Sequence, residues 1–222
     1  MNMSWLNHSS PQRAGLPSTR LLSVAAAFGA TVTLNAAGAI IYSGVQNLSV
    51  PQSPEVFWLD LYSASLAGGG MPGHLALMNE VREGVNHQYA LTPVPGSFVS
   101  FSANEGIYLA ALSGGFHIDA SSVGPLGHFY GTMAAGPGDP NAQFNEVTDR
   151  YIGLSFVREE ALYYAWVRVS VNNAAGSLIV HDWAYESSGA GIQAGAIPAP
   201  SALALLAAAG VAGLRADRGR RR

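Results

Sequence analysis

The stretch YIGLSFVREEALYYAWVRVSVNNAAGSLIVHDWAY, residues 151–185, decides the fold class of this chain. In its first run, the apolar residues Ile152, Leu154 and Phe156 occupy alternate positions, and the second run repeats the pattern around Val167. Alternation with a period of two is typical of half-buried β-strands. Because short polar connections separate the runs, we expect adjacent antiparallel strands joined as a meander.

The preceding part of the chain contains shorter apolar runs, such as 56–59 and 98–101, between stretches rich in Gly, Pro, Asn and Ser. About eight to eleven short strands between residues 40 and 196 are typical of a β-sandwich. The sequence therefore predicts an all-β, antiparallel β-sandwich or jelly roll. We expect an N-terminal signal helix and a short C-terminal apolar helix to flank it.

The composition excludes several kinds of chemistry. All eleven basic residues are arginine, and the chain has neither lysine nor cysteine. A Walker-type phosphate loop needs lysine, and thiol catalysis, disulfides and Cys-ligated zinc need sulfur. Between residues 40 and 196, four arginines face thirteen acidic residues, so the formal charge is −9. Such a surface repels phosphate backbones, so we expect no nucleic-acid partner, and we also expect no cofactor.

The N-terminus has the pattern of an export signal. Arg13 and Arg20 precede the apolar run 21–28, and the small residues of the Ala37-Gly38-Ala39 stretch follow. This A-x-A pattern predicts cleavage by signal peptidase after Ala39, with Ala37 as the alternative. Residues 1–39 are then a signal peptide; the competing interpretation is a buried N-terminal helix.

The C-terminus combines a short apolar run with positive charge. Residues 201–214 would span about 21 Å as a helix, against a hydrocarbon core of about 30 Å. Most of the apolar residues in the run are alanine, so the sequence predicts a marginal membrane anchor. Trailing positive charge would stay in the cytoplasm and leave the domain outside. The arginines concerned are Arg215, Arg218, Arg220, Arg221 and Arg222.

Pro198-Ala199-Pro200-Ser201, followed by the apolar run and the arginines, resembles the PEP-CTERM sorting signal, with Ala199 where that family has glutamate. The segments 151–156, 163–169 and 182–186 also resemble the last strands of PEP-CTERM proteins. The resemblance implies that residues 197–222 are a sorting tail recognised by an exosortase, a membrane protease of Gram-negative bacteria that make exopolysaccharide. A plain C-terminal anchor is the alternative.

No catalytic constellation is predicted. Glu159 and Glu160 are neighbours in a turn, whereas glycosidase chemistry needs two carboxyls across one cleft. His181 and Asp182 are neighbours on a strand, so they face opposite sides. The run 153–157 lacks the last glycine of a serine-hydrolase elbow. We therefore expect a non-enzymatic protein.

Two binding hypotheses remain. Oxygen-bearing side chains in one loop make a calcium-site candidate, at Asp139, Asn141, Asn145 and Asp149. Trp166 lies on the polar side of its strand and is the candidate platform for stacking on a sugar ring, whereas we expect Trp58 in the core. The sequence thus favours an exported cell-surface or extracellular-matrix protein, held transiently in the membrane. The alternative is a polysaccharide-binding or polysaccharide-modifying β-sandwich whose partner is exopolysaccharide.

Overall fold

The computed structural model describes residues 38–198, except 64, 70–72, 105, 126 and 137. Strands, turns and loops make up these residues, and no helix occurs among them. The strands are β1 (Ile40–Tyr42), β2 (Leu48–Val50), β3 (Ser53–Asp60), β4 (Ser65–Gly68), β5 (Leu75–Arg82), β6 (Val85–Leu91), β7 (Ser97–Phe98), β8 (Ser100–Ala103), β9 (Gly106–Leu109), β10 (His117–Ile118), β11 (Tyr130–Ala135), β12 (Val147–Arg158), β13 (Ala161–Asn172), β14 (Ser177–Glu186) and β15 (Ile192–Gln193).

The all-β prediction is confirmed for this part of the chain. The predicted signal helix and C-terminal apolar helix lie outside the described residues. Among the described residues, none belongs to a helix of the length and apolar character that a bilayer crossing requires.

Sheet I has the strand order β1-β14-β13-β12-β7, and β2 also pairs with β14. Its centre is the meander that the sequence predicts: β12, β13 and β14 are consecutive, adjacent and antiparallel. Leu154 lies opposite Ala165, and Val167 lies opposite both Ile152 and Trp183. The apolar positions of the three strands therefore fall on one face, as period-two alternation requires.

Sheet II has the strand order β4-β3-β5-β6-β11-β9-β8. Antiparallel pairs make up most of it, but β9 and β11 run parallel at Thr132 and Tyr108. This pair departs from the fully antiparallel prediction. The two strands are not consecutive in the chain, so their direction depends on the long connection between them rather than on a hairpin.

The main core lies between the inner faces of the two sheets. Sheet II contributes residues such as Leu59, Leu77 and Met133, and sheet I contributes residues such as Leu154 and Val169, all of them fully buried. Each buried aliphatic side chain of this kind stabilises the fold by about 1.5–3 kcal/mol. The two sheets therefore pack face to face around a shared apolar layer.

A second apolar cluster covers part of the outer face of sheet I. There the two-stranded β10–β15 sheet and the chain that follows β15 lie over β13 and β14. The buried members of the cluster are Val99, Leu112, Ile118, Tyr164, Trp166, Ala184, Ile192 and Ala194. Sheet I is consequently buried on both faces over this area.

Candidate functional site

The outer face of sheet II carries aromatic side chains from five different strands, of which three are partly exposed and two, Tyr89 and Tyr108, are only 8% and 9% exposed. We call this surface the aromatic face. Its members are Trp58 of β3, Tyr89 of β6, Phe101 of β8, Tyr108 of β9 and Tyr130 of β11. Their chain neighbours Leu59, Ala90, Leu109 and Gly131 lie on the opposite side, within or against the main core. Alternation along each strand therefore places the aromatic rings outward.

Strand register brings these rings together in two stacked pairs. Tyr89 and Tyr130 stack with their ring centroids 5.6 Å apart, and Phe101 and Tyr108 stack at 5.9 Å. Thr132 lies opposite Tyr89 on one side and opposite Tyr108 on the other, so it joins the two pairs into one row. The result is a row of two stacked aromatic pairs, with Thr132 between them, across four neighbouring strands.

The tyrosine hydroxyls of the aromatic face are neutral at physiological pH. Burial, followed by the proximity of Tyr89, raises the pKa of Tyr130 to about 12. The hydroxyl of Tyr108 donates a hydrogen bond to Asp139 Oδ2 at 2.8 Å, and this contact raises the pKa of Tyr108. The partly exposed rings of Trp58, Phe101 and Tyr130 are suited to stacking against an uncharged ligand.

The tryptophan predictions are reversed by the structure. Trp166, predicted to face solvent, is 1% exposed, because the chain after β15 crosses over it. Its indole Nε1 donates to the carbonyl oxygen of Ala196 at 3.1 Å, and its ring packs 5.4 Å from that of Tyr151. Trp58, expected in the core, lies half-buried on the aromatic face. Trp166 is therefore a covered structural side chain, and Trp58 is the accessible tryptophan of this pair.

On the outer face of sheet I, two β-bulges flank the same point of β13. In β12 the register with β13 shifts between Val147 and Arg150, and in β14 it shifts at His181. Asp149, inside the first bulge, has a φ of 52°. A bulge adds one residue to a strand and redirects its side chain. Here both bulges bring polar side chains over the centre of β13.

Arg168 of β13 is the centre of the resulting polar cluster. Its Nε and Nη2 donate to the two carboxylate oxygens of Asp182 at 2.8 and 2.7 Å, and its Nη1 donates to Asp149 at 3.0 Å. Tyr42 also donates to Asp182, at 2.8 Å. The hydrogen bonds that Arg168 donates to Asp182 are the main cause of the raised pKa of Arg168. Two-point ion pairs of this kind fix geometry, so Asp182 is a structural partner of Arg168.

A second chain of hydrogen bonds resembles a nucleophile relay in its connectivity. Ser170 Oγ lies 2.7 Å from His181 Nε2, and His181 Nδ1 lies 2.8 Å from Asn47 Oδ1. Acyl transfer also needs peptide donors aimed at the developing oxyanion. The peptide N–H of Asp149 donates to Ser170 Oγ itself, at 3.1 Å. We therefore assign these three side chains to stabilising the bulges.

All four predicted calcium ligands take part in hydrogen bonds within the protein. Asp139 accepts from Tyr108, Asn145 donates to Gly136, and Asp149 accepts from Arg168. The peptide N–H of Asn141 donates to Asp139, which shapes the loop. In the part of the chain that the structure describes, no three His, Asp or Glu side chains come together in a way that could hold a metal ion. The structure thus gives the calcium hypothesis no support.

One end of the sandwich carries an aromatic cluster that sequence reasoning missed. His74 lies 4.9 Å from Phe156 and 5.4 Å from Tyr62, measured between ring centroids, and Arg158 lies 3.6 Å above the Tyr62 ring. Burial lowers the pKa of His74 even though Asp60 lies 3.1 Å from its Nδ1. A cavity of about 230 Å³ adjoins the His74 ring. The residues of the aromatic cluster come from four separate loops and strands, so the spacing of residues in the sequence gives no indication of the cluster.

The predicted processing residues lie at or beyond the edges of the described structure. Pro198 is described and exposed, and Ala39 is described beside β1. The remaining processing residues lie outside the described residues, namely Ala37, Ala199, Pro200, Ser201, Arg215, Arg218, Arg220, Arg221 and Arg222. The first and last segments of the described chain both line a cavity of about 540 Å³, to which Gly38, Glu186 and Ala196 contribute.

Comparisons with protein-family models, with curated proteins and with solved structures find no match for this chain.

Proposed function

We propose that this chain is a non-enzymatic exported protein of the cell surface or extracellular matrix, sorted through a C-terminal tail of the PEP-CTERM type. The observation that carries the proposal is where the packed domain ends. The peptide N–H of Ala196 donates to Gln193, and its carbonyl accepts from Trp166. Beyond it, Ile197 is 57% exposed. A protease cutting after this point would leave every strand of both sheets intact.

Cleavage at the beginning of the domain would also leave the strands intact. β1 starts at Ile40 and pairs with the end of β14, where Ile40 lies opposite Glu186. Removing a signal peptide before this strand leaves its pairing in place. The proposal therefore needs two proteases, signal peptidase at the N-terminal edge and an exosortase-type membrane protease at the C-terminal edge.

The apolar run of the tail fits a transient stay in the membrane. Its strongest inserting residues are four leucines and one valine within positions 201–214. At about −0.3 to −0.6 kcal/mol each, they supply only a few kcal/mol of insertion free energy. The five arginines that follow would keep the terminus in the cytoplasm. Such a tail holds the chain long enough for processing without anchoring it permanently.

The test is the intact mass of the protein recovered from the envelope or medium of its native cell. We expect a mass lacking both the N-terminal signal and the terminal arginines. Replacing all five tail arginines by Gln should leave the full tail attached, whereas the matched control Arg82→Gln, on the exposed surface of the domain, should be processed normally. Recovery of wild-type protein with its arginine terminus intact would contradict sorting and leave a tethered protein.

A second candidate function is the binding of a neutral polysaccharide, and the aromatic face is the observation that favours it. Partly exposed aromatic rings on one face of a sheet can stack on pyranose rings, and the partly exposed Thr132 between the stacked pairs supplies a hydroxyl. Because residues 40–196 carry a formal charge of −9, an uncharged glycan is a better partner than an acidic one. In this proposal the domain binds exopolysaccharide without modifying it.

Glycan binding is tested on the aromatic face itself. Phe101→Ala and Tyr130→Ala should each weaken binding to a neutral glycan on an array by up to about tenfold, since an aromatic contact contributes about 0.5–1.5 kcal/mol. Phe116→Ala is the matched control, because Phe116 is 41% exposed and belongs to a loop outside the aromatic face. If the wild-type protein and all three variants bind no glycan, the aromatic face has another role.

A further inference from the structure

Glu186, at the end of β14, is a buried carboxylate with an unusual set of partners. It is 5% exposed. Its Oε2 accepts from the peptide N–H groups of Ser188 and Ala190 at 2.9 and 2.7 Å, while Oε1 shares only the Ser188 hydroxyl. Within the described ranges, no arginine or histidine lies at ion-pair distance from it. Buried carboxylates are normally paired with a positive charge, and this one has no such counterpart among the residues that the structure describes.

Gly38 packs directly against the under-used oxygen of this carboxylate. A Cβ placed on Gly38 would fall on Glu186 Oε1 and meet the Ser188 hydroxyl, so a side chain at this position would displace the Glu186 carboxylate from where it lies. The backbone nitrogen of Gly38 is one bond, about 1.46 Å, from the same Cα. A positive charge on this nitrogen would therefore lie within ion-pairing reach of Glu186.

Both backbone polar groups of Ala39 are bonded to Ser187, the residue that follows β14. Its N–H donates to Ser187 Oγ at 3.0 Å, and its carbonyl accepts from the Ser187 N–H at 3.0 Å. Cleavage after Ala39 would remove both hydrogen bonds and the glycine that fits against Glu186. Cleavage after Ala37 keeps all of these contacts.

We propose that the mature protein begins at Gly38 and that its new α-ammonium group is the charge partner of Glu186. The inference rests on the export signal of the proposed function. Hydrolysis of the Ala37–Gly38 bond adds water, leaves the carboxylate on Ala37 and gives Gly38 a free amine, which takes up a proton at neutral pH. The Glu186 carboxylate thus receives this counter-charge only when the signal peptide is removed, so processing forms the ion pair.

The proposal differs from the local sequence pattern and is therefore sharply testable. Cleavage after Ala39 places Ala37 three residues before the cut, whereas cleavage after Ala37 places Asn35 there. N-terminal sequencing of the protein from its native cell distinguishes the two. A start at Gly38 supports the proposal, and a start at Ile40 overturns it while leaving export intact. A start at Met1 overturns the proposal and the export signal together.

Because the chain has no lysine, its α-amino group is the only primary amine in the mature protein. An amine-reactive acetylating ester therefore modifies the N-terminus alone. We expect the folded mature protein to react at least about tenfold more slowly than the same protein in urea. A tenfold difference corresponds to a rise of about 1 in the pKa of the α-amino group. Equal rates, after correction with a short peptide that begins with the same residues, would overturn the ion pair.

A thermal double-mutant cycle gives an independent measurement. Acetylating Gly38 should lower the Tm of the wild-type mature protein by several degrees and leave the Tm of Glu186→Gln unchanged, because the pair is already broken there. Glu55→Gln, at an exposed carboxylate, is the matched control and should keep the full acetylation effect. An equal Tm loss in wild type and Glu186→Gln would overturn the proposal. If Glu186→Gln does not fold, the labelling rates still give the answer.

Discussion

The outer faces of the two sheets start from the same sequence pattern and end in opposite environments. On sheet I, Trp166 is 1% exposed beneath Ala196 and the β10–β15 sheet. On sheet II, Trp58, Phe101 and Tyr130 of the aromatic face stay partly exposed. Alternation places both tryptophans on an outer face, but whether the face is covered depends on chain segments that lie far along the sequence. A residue on the solvent-marked side of a strand is therefore a surface residue only where nothing crosses it.

The covered and open tryptophans give the largest expected difference. Trp166→Ala should lower the free energy of unfolding by about 3–5 kcal/mol, because it empties a fully buried site and removes the indole hydrogen bond to Ala196. Trp58→Ala should cost about 1–2 kcal/mol, since its ring is only half-buried. Urea denaturation of the two variants measures both values. Equal losses would show that the two faces are covered to the same degree.

Two arginines extend the comparison to charge. Arg168→Met leaves the buried carboxylate of Asp182 without its two-point partner, so we expect a loss of about 2–4 kcal/mol. Arg82→Met, at an exposed position on sheet II, should change the free energy of unfolding by less than about 1 kcal/mol. The measurement is again urea denaturation, with the slope of the transition checked for two-state behaviour. If Arg168→Met were as stable as wild type, the polar cluster would not support the bulges.

We expect the smallest difference in stability loss when the hydroxyls of two tyrosines are removed. Tyr42 and Tyr108 each donate to an aspartate at 2.8 Å, but Asp182 is 3% exposed and Asp139 is only half-buried. Tyr42→Phe should therefore cost about 1–2 kcal/mol, and Tyr108→Phe less than about 0.5 kcal/mol. Thermal unfolding at neutral pH resolves the difference. The reverse order would mean that the open face contributes more hydrogen-bond stability than the covered one.

Much of the fold was predictable from residues 151–185. Ile152, Leu154 and Phe156 fall in the main core as their alternation predicts, and β12, β13 and β14 form the expected meander. Hairpins depend on neighbours in the chain, so local sequence carries the signal. The parallel contact of β9 and β11 at Thr132 and Tyr108 depends on a long connection, and no local pattern indicates its direction.

The candidate site was predictable only in part. The aromatic residues are visible in the sequence, but their grouping into one row requires the strand order of sheet II. The hypothesis for Trp166 was wrong, because Ala196 covers it from thirty positions later in the chain. The sequence did not predict that Glu186 is buried either. Its contact with Gly38 joins the two ends of the domain, and sequence spacing holds no information about such a pair.

The sequence by itself determined the period-two strands, the acidic domain, the absence of lysine and cysteine chemistry, and the signal-like composition of both termini. Each of these depends on residue identity or on neighbours a few positions apart. Only the tertiary structure decided which outer face stays open, which tryptophan is accessible, and that Gly38 lies against Glu186. These features depend on distant segments packing together, because burial is a property of what covers a residue rather than of the residue itself.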